Sequence, residues 1–273
     1  MVFPKTVPGI YCLADSRRYT VLATSMSRYK ILPVALGLLL VLNGSTAVRR
    51  DGRPHLTLWA WERPEQLTFL NSHDVGVAFL AGSVYLDTSP VLRPRFQPLR
   101  VNPGTPLTAV VRIEITPQTP TDFSDAYRAQ VARQILHLSD LPGVRELQVD
   151  FDARRSQRHF YRQLLEAVRA QWPADRRLSI TALGSWCLAD DWIADLPIDE
   201  AVPMLFRMGM DEGNILHALS SGQDFRDPLC RSSVGLATDE PWPQPLLDRH
   251  VFVFNTHPWN AQMVAAVQRG LQP

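Results

Sequence analysis

The segment ELQVDFD at Glu146–Asp152 decides the fold when it is taken with the two segments that follow it. Apolar and polar residues alternate along this segment, which is the period of a β-strand. Gln157–Trp172 then carries apolar residues at helical spacing after Ser156, a candidate N-cap, and Leu178–Leu183 is again strand-like. A strand, a helix and a second strand in this order predict parallel strands joined by a crossover helix.

The same alternation continues from position 55 to the end of the chain. Eight strands are predicted, at His55–Trp61, Val75–Ala81, Leu107–Ile115, Glu146–Asp152, Leu178–Leu183, Ala201–Phe206, Ser233–Thr238 and His250–Asn255. The other predicted helices are Asp125–Leu138, Trp186–Leu196, Gly213–Ser220 and Ala261–Leu271. This pattern predicts an α/β fold, a (β/α)8 TIM-type barrel. The alternative is an open doubly wound sheet, although no glycine-rich loop follows an early strand.

Two connections depart from the strand-helix alternation. Residues 82–106 hold seven prolines or glycines and no helical period, which predicts an irregular or hairpin insertion after the second strand. Residues 239–249 hold three prolines and are expected to form one helical turn at most.

Residues 1–47 have the pattern of an export signal rather than of a folded domain. The stretch Met26–Lys30 is basic, and the 12-residue apolar run that follows it is short for a membrane span. Small residues at Ser45–Ala47 suit a signal peptidase. We therefore predict an upstream extension before a start at Met26, a signal peptide, and a periplasmic or secreted domain over 48–273.

The cleavage site is expected near Ala47. An uncleaved signal anchor is the alternative, and it would be the chain's one contact with a membrane. Of the three cysteines, Cys187 and Cys230 lie in the predicted domain, where they either pair or stay as two buried thiols.

Composition excludes several classes of protein. With 45% hydrophobic and 20% charged residues, the 273-residue chain is typical of globular proteins rather than disordered ones. A net charge of +1 without a basic run argues against a nucleic-acid partner. Lysine occurs only at Lys5 and Lys30, so the domain has no Schiff-base or P-loop lysine. Since HExxH, GxSxG and CxxC are also missing, no cofactor or metal is predicted.

Strand parity places charged residues on the inner side of the barrel. Asp150 and Asp152 oppose the apolar side of the fourth strand, and Arg112 and Glu114 do so on the third. Such charges are costly in a barrel interior unless they are paired. They form either an ion network that only fills space or part of an active site, which these barrels hold at the carboxyl ends of their strands.

Carboxylates and aromatic residues gather at the predicted strand ends. The candidate catalytic residues are Glu62, Glu114, Asp150, Asp152, Asp239 and Glu240. The candidate substrate-binding residues are Trp61, Trp186, Arg207, Asn255, His257 and Trp259. Paired acids and flat aromatic faces suit the cleavage and binding of a sugar, so the predicted partner is a carbohydrate. Arg207 has a second interpretation, in which it neutralises Asp150 or Asp152.

Four segments resemble a family of bacterial proteins of unknown function. They are LQVDFDA at Leu147–Ala153, LSITALGSWC at Leu178–Cys187, DEAVPMLFRMG at Asp199–Gly209 and GLATDEP at Gly235–Pro241. The resemblance covers most of residues 55–260 and implies a glycosidase-like TIM barrel.

The run Gln148–Asp152 is also similar to the fourth strand of family 18 chitinases, which ends Asp-x-Asp-x-Glu. That likeness implies a proton donor at Asp152. The sixth strand of the same family carries Met-x-Tyr-Asp/Asn, whereas this chain has Phe206 and Arg207 at the corresponding positions of Met204–Arg207.

These observations predict an exported, glycoside-hydrolase-like protein that acts on a polysaccharide or glycan. Asp152 is the expected general acid, held partly protonated by Asp150. The second carboxylate is expected among the other four acids at the strand ends. The alternative is a non-catalytic glycan-binding or envelope scaffold protein built on the same barrel.

Overall fold

The computed structural model describes residues 53–243 and 246–272. The predicted extension, signal peptide and cleavage site at 1–47 lie outside these residues and remain predictions. Among the described residues, no helix has the length and apolar character that crossing a membrane requires.

Eleven strands and five α-helices form within residues 53–243 and 246–272. The strands are β1 (Leu56–Ala60), β2 (Glu65–Gln66), β3 (Val75–Leu86), β4 (Val91–Pro94), β5 (Leu99–Arg100), β6 (Leu107–Ile115), β7 (Val144–Asp150), β8 (Arg177–Leu183), β9 (Glu200–Met204), β10 (Ser233–Ala237) and β11 (His250–Phe254). The helices are α1 (Asp125–Ser139), α2 (Arg158–Arg169), α3 (Gly184–Leu188), α4 (Glu212–Ser220) and α5 (Ala261–Gly270).

Eight parallel strands close into a barrel, which confirms the predicted fold class. Their order is β1, β3, β6, β7, β8, β9, β10 and β11, and β11 pairs with β1 again to complete the circle. Each pair of neighbours is parallel. All eight strands therefore point their carboxyl ends at one mouth of the barrel.

The predicted insertion after the second barrel strand is also confirmed. β4 pairs with β3 as an antiparallel hairpin, and β5 pairs with β2 beside the barrel. Arg95 fixes the insertion to the end of β1, because its guanidinium donates to the carbonyl oxygens of Trp61 at 2.6 Å and Arg63 at 2.5 Å.

Two helices differ from the sequence prediction at their ends. Ser156 lies inside a 3₁₀ turn at Arg155–Gln157 and does not cap α2; there the Gln157 side chain accepts from the Arg154 amide at 2.8 Å. The helix predicted at Trp186–Leu196 ends at Leu188. Asp190 accepts a hydrogen bond from the next amide at 2.9 Å, a local bond that competes with helix continuation.

The remaining connections agree with the sequence more closely. Ser124 and Asn260 cap α1 and α5, each accepting a hydrogen bond from a first-turn amide, at 3.2 and 2.9 Å. No α-helix forms in the described part of 239–249. Cys187 in α3 and Cys230 are joined by a disulfide bond that encloses the wall of the barrel around β9.

The barrel interior is apolar at its centre and polar at both ends. Trp59, Val202 and Phe252 belong to a buried central cluster, separate from the larger core between strands and helices. A side chain at Gly235 would bring its Cβ within 2.7 Å of the Trp59 indole, so only glycine fits there. Strand parity thus predicts the inward side correctly, and the charged residues lie towards the two ends, while Gln148 at the centre accepts a 2.9 Å hydrogen bond from the Trp59 indole.

Interactions at the mouth fasten the first barrel strand to the last. Arg63 donates to the carbonyl oxygens of Asn255 and Thr256, the latter at 2.9 Å, and to Glu65 at 2.8 Å. The buried Glu65 carboxylate also accepts from the Trp259 amide at 3.0 Å. These bonds hold the loop after β1 against the loop after β11.

Candidate active site

A cavity of about 340 Å³ opens at the carboxyl ends of the barrel strands. Its charged residues are Asp150, Asp152, Asp211, Arg112 and Arg207. Its aromatic residues are Trp59, Trp61, Phe206 and Phe254. The volume lies within the range of small-ligand sites, and the wall combines charge with flat apolar faces.

Asp150 is the last residue of β7 and is buried at the bottom of the cavity. Its carboxylate accepts a 2.6 Å hydrogen bond from the Thr181 hydroxyl on β8 and lies 3.5 Å from the Arg112 guanidinium on β6. Burial raises the pKa of Asp150 to about 6, although Thr181 and Arg112 oppose the rise; Asp152 adds to it by charge repulsion.

Asp152 follows two residues later, on the same side of the chain, and reaches the cavity from its exposed wall. The chain turns just after it, where the Ala153 amide donates to the Phe151 carbonyl at 2.7 Å. The cavity thus holds a buried and an exposed carboxyl group from one strand, as strand parity predicts.

Arg112 joins two of the predicted acids. Its Nε donates to the Glu114 carboxylate and its Nη1 approaches Asp150, so the predicted ion network is present. Glu114 is committed to this pair and does not line the cavity. The Arg112 guanidinium also lies 5.8 Å from the centre of the Trp61 ring, which places Trp61 on the cavity wall.

Arg207 pairs with a different set of acids from the set expected. Its guanidinium lies 2.8 Å from Asp239 and 3.3 Å from Glu240, so it neutralises these two carboxylates rather than Asp150 or Asp152. Glu240 also accepts from the Arg207 backbone amide at 3.1 Å. Both acids come from the loop after β10, which lies beside the end of β9.

The Arg207 guanidinium covers a pair of aromatic rings. It lies 5.6 Å from the centre of Phe206 and 5.5 Å from that of Phe254, whose rings are parallel and 5.7 Å apart. The backbone of Arg207 has a φ of 52°, a conformation that is costly for a residue with a Cβ. Arg207 thus lines the cavity with its guanidinium over both rings and paired with the two acids of the loop after β10.

Three predicted substrate-binding residues lie in the interior, away from the cavity. Trp186 packs edge-on against Trp192 at 4.7 Å. The Trp259 indole donates to the Trp59 carbonyl at 3.0 Å, and the Asn255 amide donates to the His257 carbonyl at 2.8 Å. Because these residues follow strands, the sequence correctly predicts at which end of the barrel they lie. Their side chains are nevertheless buried in the protein interior, where they support the loops at that end.

Glu62 and His257 are exposed near the mouth, and neither lines the cavity. The structure therefore brings Asp150, Asp152, Trp61 and Arg207 together at one site. The inward parity of their strands is the sequence signal for Asp150, Asp152 and Trp61, whereas Arg207 comes directly after Phe206 and has the opposite parity.

Sequence reasoning overlooked several residues of the cavity. Phe206 and Phe254 follow the inward parity of Met204 and Phe252, so the same argument could have found them. Asp211 lies in the 3₁₀ turn before α4, where neither the strand period nor the helix period predicts the direction of a side chain. Within residues 53–243 and 246–272, no group of three or more His, Cys, Asp or Glu side chains is placed to hold a metal ion.

Fold and site together define a (β/α)8 barrel with an acidic and aromatic cavity at the carboxyl ends of its strands. No protein-family model matches the sequence, and no curated protein matches it.

Three similar solved structures show what this chain is similar to, each at low sequence identity. They are the chitinase domain of the spore coat protein CotE from Clostridium difficile (17% identity, TM-score 0.40), a fungal family 18 endo-β-N-acetylglucosaminidase (12%, 0.46) and the spore cortex-lytic enzyme SleL from Bacillus cereus (15%, 0.44). The alignments cover 57%, 74% and 68% of this chain and 51%, 89% and 52% of those chains. The chain thus spans about half the length of the first and the third.

Proposed function

We propose that the protein is an exported glycoside hydrolase that acts on a polysaccharide or glycan. The observation that carries this proposal is the placement of Asp150 and Asp152 in one cavity with exposed aromatic faces. Most glycosidases cleave with a pair of carboxylic acids, and aromatic faces provide a surface on which a sugar ring can pack.

Asp152 acts as the general acid in this proposal, and Asp150 is the second carboxyl group from the same segment on the cavity wall. Asp150 is buried, and its pKa is raised to about 6 because burial disfavours the charged carboxylate. The charge of Asp152 adds to this rise by repulsion, so the two carboxyl groups interact within the cavity. Asp152 is the more exposed of the two, so it reaches the glycosidic oxygen.

The aromatic part of the cavity supports a sugar as the ligand. Trp61 meets Phe254 edge to face at 6.3 Å, and Phe254 stacks parallel to Phe206. Sugar rings present apolar C–H faces that pack on such surfaces, while their hydroxyl groups bond to the surrounding acids and arginines.

Export is the second part of the proposal. The disulfide between Cys187 and Cys230 supports it, because disulfides persist mainly in oxidising compartments outside the cytosol. The basic and apolar stretch at Met26–Leu42 supplies the expected signal.

A binding protein without catalysis is the second candidate. Phe206 and Arg207 favour it, because they replace the tyrosine and the acid or amide of the family 18 pattern at the end of β9. Arg207 is also engaged by Asp239 and Glu240 rather than turned to a catalytic group.

The deciding experiment incubates the full chain with chitin oligosaccharides, peptidoglycan fragments and exopolysaccharide oligomers and measures new reducing ends. We expect turnover of at least one class, and a fall in kcat of about 10²-fold or more for Asp152→Asn. Asp175→Asn, an exposed acid away from the cavity, is the matched control and should keep full activity. Binding without turnover would favour the second candidate, and full activity of Asp152→Asn would refute the acid assignment.

A further inference from the structure

Most acids at the mouth of the barrel are already paired. Glu114 accepts from Arg112, while Asp239 and Glu240 hold Arg207. Glu62 does not line the cavity. None of the acids predicted for the second catalytic role is both free of an ion pair and on the cavity wall.

Asp211 has both properties. It lines the cavity, its side chain is exposed, and it has no ion-pair partner among the described residues. It lies in the 3₁₀ turn Gly209–Asp211 that runs into α4, and its side chain makes no capping hydrogen bond.

Asp211 reaches the cavity from a different wall than Asp152. Asp152 follows β7 and Asp211 follows β9, with β8 between the two strands. Both side chains line the same cavity although their strands are not neighbours. Carboxyl groups about 6.5–9.5 Å apart leave room for a water molecule between one of them and the sugar, which is the arrangement of inverting glycosidases.

We propose that Asp211 is the second catalytic carboxylate and acts as the general base on water. This inference rests on the proposed glycosidase function. Asp152 donates its proton to the glycosidic oxygen as the bond from that oxygen to C1 breaks, and the electron pair of the bond stays on the departing oxygen. Water forms a new bond to C1 from the opposite face and gives its proton to Asp211. Exchange with solvent then returns both carboxyl groups to their starting state.

The test uses the full chain and the oligosaccharide that the wild-type protein cleaves fastest among chitin, peptidoglycan and exopolysaccharide oligomers. Asp211→Asn should lower kcat by about 10²–10⁴-fold with little change in KM, because the base acts only in the transition state. Glu212→Gln is the matched control: it removes a neighbouring exposed acid from the start of α4 that does not line the cavity, and it should keep full activity.

Two further readouts separate chemistry from structure. Proton NMR of the first product formed by the wild-type protein should show inversion at C1. Sodium azide should restore activity to Asp211→Ala by forming a glycosyl azide, since azide attacks without a base. A purely structural role for Asp211 predicts no such rescue.

The outcomes distinguish the two proposals. If wild type cleaves the oligosaccharide and Asp152→Asn does not, while Asp211→Asn stays fully active, the glycosidase function stands and the assignment of Asp211 falls. Retention at C1 in the wild-type product also overturns the general-base role. If the wild-type protein cleaves none of the oligomers, the proposed function itself fails and Asp211 loses its role with it.

Discussion

The hydroxyl of Thr181 on β8 donates a buried 2.6 Å hydrogen bond to the carboxylate of Asp150 on β7. This bond favours the ionised carboxylate and so limits the rise that burial causes, and the pKa of Asp150 is about 6 with the bond in place. The charge state of the cavity at neutral pH therefore depends on a neutral side chain from the neighbouring strand.

Thr181→Val should raise the pKa of Asp150 above 6. Valine keeps the shape of threonine but removes the donor, and a hydrogen bond to a charged group contributes about 1.5–3 kcal/mol. A carbon-13 NMR titration of the Asp150 carboxyl group measures the change. Thr181→Ser retains the hydroxyl and is the control that should keep the wild-type value. A pKa in Thr181→Val that is unchanged or lower would contradict the role given to this bond.

Glu146→Gln should flatten the pH dependence of stability. Burial and the charge of Glu200 raise the pKa of Glu146 from 4.5 to about 7. The folded state then binds more protons than the unfolded state between these values, so the free energy of unfolding falls as pH rises from about 4.5 to about 7. The shift corresponds to about 3 kcal/mol at most.

Urea denaturation between pH 4 and pH 8 measures this contribution. The wild-type protein should lose stability across the window, and Glu146→Gln should lose less. Glu166→Gln, an exposed acid on α2, should behave like the wild type. Equal slopes in the Glu146 variant and the wild type would show that Glu146 titrates normally in the folded state.

Gly235→Ala should destabilise the barrel by about 1–3 kcal/mol. The new methyl group would lie 2.7 Å from the Trp59 indole, which is itself packed at 5.3 Å on Phe252 and cannot retreat freely. Gly213→Ala is the control, because its side chain would meet nothing within 4 Å and alanine favours a helix. Thermal denaturation should show a lower Tm for the first variant and an equal or higher Tm for the second.

The double variant Cys187→Ala/Cys230→Ala should lose about 2–4 kcal/mol of unfolding free energy, because the disulfide restricts the unfolded chain. Its sequence separation of 43 residues is long enough for a sizeable effect. Reductant should lower the stability of the wild-type protein toward that of the variant and leave the variant unchanged. A wild-type protein that is indifferent to reductant would mean that the bond adds nothing to stability.

The periods of the apolar residues and the alternation of side chains along each strand were sufficient to predict the barrel and part of its site. The alternation around Glu146–Asp152 fixes which side chains face inward, so the sequence alone places Asp150 and Asp152 at the mouth of the barrel. The same argument applies to Trp61, whereas Arg207 lines the cavity although its parity is opposite to that of the inward residues of β9.

Residues beyond the strand ends could not be placed in this way. Trp186 and Trp259 follow strands, as Trp61 does, but their chains turn and their rings pack into the core. Asp211 reaches the cavity from an irregular turn, and its position depends on how α4 docks rather than on any local pattern. A sequence shows which end of the barrel a residue belongs to, whereas the direction of its side chain after the strand depends on tertiary packing.

The bond between Cys187 and Cys230 has a consequence for how this protein can fluctuate. The covalent ring runs from Cys187 in α3 to Cys230, three residues before the start of β10, and it includes Phe206, Arg207 and Asp211. If the segment between the two cysteines separates from the barrel by thermal motion, the Cα atoms of Cys187 and Cys230 stay 5.8 Å apart. The segment therefore returns to the same neighbouring strands. The disulfide thus keeps β9 close to its place in the barrel even when its hydrogen bonds to the neighbouring strands break.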